Sequence, residues 1–174
     1  FHTGQNQNPW WQVDLCAPVD IASVMVFNRL YYAPGLHNAD NLHVLTSDDA
    51  NSWTLRHDNQ GKHFGGVGDG GPLVVKFEPG QVRARFVRIQ VPTEKPLLFH
   101  LDEVEVYGFT EPDRNLALHQ PADQSSLSQW STPKARGVFF PTADCIARAR
   151  RMAEDLRHEG VNVEPYLSQL VEAA

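Results

Sequence analysis

Over residues 1–108 the apolar residues come in short runs separated by turn signals, and no segment between them is long enough to make a useful helix. This punctuation constrains the fold more than any other feature of the chain. Parallel strands need crossovers of about a dozen residues or more, usually helical, so strands joined without them must pair antiparallel. The candidate strands are Trp10–Leu15, Ile21–Leu30, Leu42–Ser47, Trp53–Arg56, Leu73–Phe77, Ala84–Val91 and Leu101–Tyr107. Turn signals stand between them at Ala33-Pro34-Gly35, along the glycine-rich stretch Gly65 to Pro72, and at Glu78-Pro79-Gly80. Within strands the alternation is legible. Val87, Ile89 and Val91 point one way while Arg88 and Gln90 point the other, and Val104 and Val106 alternate with Glu103 and Glu105. Each such strand has one core face and one wet face, and the expected product is an antiparallel β-sandwich.

After Gly108 the pattern changes. Phe109 to Arg114 reads as a linker, and Asn115 to Ser131 is polar with a serine-rich patch. Beyond it, Cys145, Ala149, Met152 and Leu156 recur at helical spacing, with Arg and Glu between them. Gly160 ends that run, and a second short helix is expected from near Pro165, burying Tyr166, Leu167, Leu170 and Val171. The two form a helical hairpin over 139–174. A hairpin of this kind needs its apolar stripe covered, by the sandwich, by a neighbouring copy or by a partner.

Charge and composition exclude several classes. Fifteen Lys and Arg against twenty-one Asp and Glu give a net charge of -6, which argues against a partner held through its phosphates. The apolar runs are far shorter than the roughly 18 residues of a membrane span. Phe1-His2-Thr3-Gly4-Gln5 lacks the basic start and apolar stretch of a secretory signal. Cys16 and Cys145 are too few and too distant for a zinc site or a disulfide framework, and read as ordinary thiols. No Ser-His-Asp or Cys-His arrangement can be placed, and Asp48, Asp49 and Asp58 form no interpretable acid–base pair, so no enzyme is expected. The eight histidines show no metal-ligand spacing on any one recognisable element.

Four segments taken in order, Asn8-Pro9-Trp10-Trp11-Gln12-Val13-Asp14-Leu15, Val24 to Arg29, Arg85 to Gln90 and Asp102 to Gly108, resemble the discoidin, or coagulation-factor C-type, domain. The resemblance implies a jelly-roll β-sandwich that is not an enzyme and binds sugars, phospholipids or proteins through loops at one end. It narrows toward the F-type fucose lectins, whose motif is a His, twenty-six residues, an Arg, any residue and an Asp, and a second basic residue five places further on. Twenty-six residues separate His2 from Arg29, whereas Tyr31 and Leu36 replace the Asp and the second basic residue, with His37 one place later. The resemblance thus implies a non-catalytic carbohydrate-binding module with its site at His2, Arg29, Tyr31, Tyr32 and His37, of altered specificity. Such a module would serve a larger, bacterial-style glycan-handling protein.

A sugar hydroxyl both donates and accepts, so its reader needs fixed groups of both kinds. An Arg fork beside an imidazole supplies them, and Tyr rings can stack on the sugar's C–H face. The resemblance also implies a structural calcium, for which Asp102 and Glu103 occupy matching positions while the early loop has no counterpart. The alternative class is a protein-interaction or oligomerisation module that binds no sugar, and apolar side chains exposed at loop tips would favour a lipid-headgroup reader.

Only seven residues precede Asn8, fewer than a discoidin domain normally carries there, and Asn115 to Ser126 resembles the missing opening strand. Either the chain is cut from a tandem array, or residues 115–138 fold back to complete the sandwich, giving units 1–138 and 139–174. Completion within the chain is favoured if the chain is stable alone, and exchange into a strand-swapped dimer or other homo-oligomer is its rival.

Overall fold

The computed structural model describes residues 1–131 and Arg157. Among these, strands form at β1 (His2–Asn6), β2 (Trp10–Phe27), β3 (His43–Ser47), β4 (Thr54–Asp58), β5 (Leu73–Lys76), β6 (Arg83–Gln90), β7 (Leu97–His100), β8 (Glu103–Gly108) and β9 (Ala122–Gln124), with a 3-10 turn at Ala33–Gly35. Every pairing is antiparallel. The hairpin expected over 139–174 lies outside the described residues, apart from Arg157.

β2 organises the whole. Its first half pairs with β6 and β9 and its second half with β5 and β8, so one leaf runs β4-β3-β6-β2-β9 and the other β5-β2-β8. The changeover is a bulge between Asp14 and Val19. There Cys16 adopts a left-handed φ of 73°, and Pro18 can donate no ladder hydrogen bond. Asp14 steadies the bend, its Oδ1 accepting the Cys16 N–H at 2.7 Å. Bulges of this kind let a single strand turn from one sheet into another. In sequence the Cys16-Ala17-Pro18 step reads as a break between two strands. In the fold it is a corner within one. Cys16 is also disulfide-bonded rather than the free thiol expected; with only two cysteines so far apart, no spacing pattern could reveal the bond.

A single apolar cluster fills the space between the leaves. It joins Val44, Val87 and Ile89 from one leaf to Val24, Val75 and Val106 from the other, most of them fully buried. The alternation in β6 and β8 holds: Val87, Ile89, Val104 and Val106 are buried, and Glu103 is exposed. Polar side chains of β2 and β6 in the first leaf are paired. Arg85 grips Asp14 with two hydrogen bonds of 2.8 and 2.7 Å. Arg88 donates to Gln12 Oε1 and lies between the rings of Trp10 and Trp53, 4.4 and 3.8 Å from their centroids. These contacts commit both arginines and both tryptophans to structure.

Residues 115–125 pack onto the same chain. Leu116, 2% exposed, enters the core, and its N–H donates to Val106 O at 2.7 Å. Asn115 Oδ1 accepts the N–H groups of Val106 and Ala117. β9 then runs beside the first half of β2, with Trp11 opposite Gln124 and Val13 opposite Ala122.

Candidate functional site

β1 and β7 form a two-stranded ribbon that sets His2 directly across from His100. Their ring centroids are 5.2 Å apart. His2 Nδ1–H donates to Thr3 O at 2.8 Å, which fixes the tautomer and leaves Nε2 as a lone-pair acceptor. The segment after β9 holds this residue from the far side. Gln124 Nε2 and Ser131 Oγ both donate to His2 O, and the exposed Trp130 ring stands 5.3 Å from the imidazole.

Arg29 arrives from the end of β2. The residue before it, Asn28, is fully buried and serves as the hub of the neighbouring loops. Its Nδ2 donates to Leu36 O at 2.9 Å and to Phe64 O at 3.2 Å, and its Oδ1 accepts the Arg29 N–H at 2.9 Å. The glycine-rich loop must pass close by, because a Cβ on Gly66 would fall 2.1 Å from Asn28 O. With the backbone so fixed, the Arg29 guanidinium makes no hydrogen bond or ion pair with another described residue. Its fork is uncommitted.

His100 faces His2 across the ribbon and feels the charge of the nearby Arg29. It is 1% exposed, and neither ring nitrogen has a hydrogen-bond partner among the described residues. Burial, reinforced by the nearby His2 and Arg29, lowers its pKa from 6.5 to about 4, so the ring is neutral at physiological pH. Tyr32 meets it edge-on at 6.1 Å. Gly35 closes over it, since a Cβ there would lie 2.5 Å from Nε2.

Of the residues expected from sequence, His2, Arg29 and Tyr32 therefore gather around His100. Tyr31 stands beside them in the chain with 81% of its surface exposed. His37 instead turns to Asp40 and His63, donating from Nδ1 to Asp40 Oδ2 at 2.7 Å. Asp102 and Glu103 are exposed, and Glu103 Oε1 accepts the N–H of Val104. No further His, Cys, Asp or Glu among the described residues joins them in a metal-sized cluster. Sequence reasoning missed His100 and Trp130. The lone Trp in a serine-rich stretch was the available signal for one, whereas His100 becomes visible only once β1 is paired with β7.

The fold defines an antiparallel β-sandwich module with His2, Arg29, Tyr31 and Tyr32 near its loop end. Residues 1–100 match the family model described as F5/8 type C domain, and the chain belongs to that family. Among solved structures it is similar to the lectin domain of lectinolysin complexed with Lewis B antigen. The identity is 29%, covering 62% of this chain and 70% of that one, with a TM-score of 0.45. It is also similar to the CBM32-3 module of a family 31 glycoside hydrolase from Clostridium perfringens, at 16% identity over 62% of this chain and 73% of that one, with a TM-score of 0.41. No curated protein matches the chain.

Proposed function

We propose that this chain is a non-catalytic carbohydrate-binding module that reads a sugar at the rim formed by His2, Arg29, Tyr31 and Tyr32. The observation that carries the reading is that two uncommitted polar groups, the Arg29 fork and the His2 Nε2 lone pair, both lie in the neighbourhood of His100. Together they supply the donors and the acceptor that a pair of vicinal hydroxyls requires. Trp130, 66% exposed, and the two tyrosines supply aromatic faces for the sugar's C–H surface. The family supports the fold-level part of this reading, and the chemistry of the rim supports the rest. With Tyr31 where the fucose-lectin motif has a carboxylate, we expect specificity to differ from simple fucose recognition.

The carboxylates near the loops support a binding role over a hydrolytic one. Asp49 Oδ1 is spent on the N–H groups of Asn51 and Ser52, and Asp69 Oδ1 on those of Gly66 and Gly71. Both carboxylates thus serve as acceptors that shape their own loops. One observation favours a second reading: Val67 and Trp130 are 64% and 66% exposed, as apolar loop tips meeting a lipid surface would be. The net charge of -6 weighs against an anionic bilayer.

The test is a glycan array with the wild-type chain beside Arg29→Ala, and in parallel co-sedimentation with phosphatidylserine vesicles. Glycan binding that falls by at least tenfold in the variant supports the lectin reading. A silent array, or binding untouched by the substitution, overturns it, and sedimentation with vesicles then points to the lipid surface.

A further inference from the structure

His37 and Asp40 share the loop before β3 and His63 lies in the loop after β4, yet the fold gathers them into one cluster. We propose that they form a binding site for a divalent transition metal of the zinc class. The ligand atoms of the three residues all lie within 4.8 Å of one another. Asp40 sits between the imidazoles, its Oδ2 accepting from His37 Nδ1 at 2.7 Å and its Oδ1 from His63 Nδ1 at 3.1 Å. Donors at about 2.1 Å from a common cation stand roughly 3.0 Å apart at right angles and roughly 3.4 Å apart at a tetrahedral angle. The observed nitrogen-to-oxygen separations are close to such edges. Each contact is now bridged by a proton on Nδ1, which metal binding at that nitrogen would displace, to Nε2 in a neutral ring.

The backbone beneath the cluster is built to hold it. Asn59, 3% exposed, donates from Nδ2 to Asp40 O at 2.8 Å and to Lys62 O at 2.6 Å, tying the two ligand-bearing loops together. Ala39 and Phe64, each next to a ligand, are anchored in the core. The carboxylate is sheltered, with its side chain 13% exposed, while the imidazoles are open at 71% and 44% and free to adjust. Two nitrogens and one carboxylate oxygen select zinc, cobalt, nickel or copper over calcium or magnesium. Three protein ligands leave at least one position open to water. The site shares no side chain with the His2–Arg29 rim and does not depend on the sugar reading.

The test uses the untagged chain and cobalt(II) chloride, read by visible absorption, with zinc(II) chloride in a competing titration. The expected result is one cobalt per chain, displaced by zinc, with affinity falling on the order of 100-fold in His37→Ala and in His63→Gln and unchanged in His43→Ala. Both ligand substitutions fall on exposed side chains, and a thermal melt without metal checks that they fold. No cobalt bands in the wild type, or affinity in the two ligand variants equal to wild type, overturns the proposal.

Discussion

His100 carries a cost that the rest of the fold has to bear. A buried imidazole whose two nitrogens find no partner forgoes about 1–3 kcal/mol per unmet group. Its protonation is also coupled to folding. With a pKa of about 4 when folded against 6.5 when free, the unfolded chain binds the extra proton throughout that interval. Stability is therefore full above pH 6.5 and falls as the pH drops toward 4, by up to about 3 kcal/mol. Asp49 titrates lower, held at about 2 by the N–H groups of Ser52 and Asn51, and its stabilising share is lost only as the pH falls below 3.8. Urea midpoints measured between pH 7 and 4 should decline in the wild type and decline much less in His100→Leu. Equal slopes would show that this imidazole does not govern the window. The Arg and His spacing made two members of the site legible in the sequence. His100 escaped because a histidine ending the apolar run Leu97-Leu98-Phe99 looks like any strand residue until its cross-strand partner is known.

At the scale of elements, the strands legible in the sequence are those with one wet and one buried face. β6 and β8 announce themselves by alternation and come out with the buried sets expected of them. β1 and β7 do not. They pair only with each other, and His2-Thr3-Gly4-Gln5-Asn6 has no apolar rhythm to read. β9 is three residues long, too short for any periodicity, and was suggested only by the likeness of Asn115 to Ser126 to an opening strand. What fixes β9 is the residue ahead of it. Leu116 lies in the core at 2% exposure, against Gly108, where a Cβ would sit 3.0 Å from Leu116 Cδ1. Leu116→Ala should cost about 2–5 kcal/mol and free the segment that braces His2, so the loss of stability should come with weaker glycan binding. Chemical denaturation and the array together check this; a change below about 1 kcal/mol would mean the segment is a passenger.

For the whole molecule, the placement of its chemistry follows from its topology. Loops between β2 and β3 and between β4 and β5 are drawn together by Asn28 and Asn59, two buried amides that each bond to more than one segment. One consequence is the pairing of His37 with His63, which no spacing rule would have suggested. Another concerns how the molecule comes apart. Because a single length of backbone, turning at Cys16, belongs to both leaves, there is no seam along which one half could melt while the other survives. Scanning calorimetry of the intact chain should give one endotherm for the sandwich whose calorimetric and van't Hoff enthalpies agree, and a sandwich transition split in two would contradict this. A body of this design is either wholly present or wholly lost, and whatever its rim holds should stay held almost undiminished until the temperature at which everything fails at once.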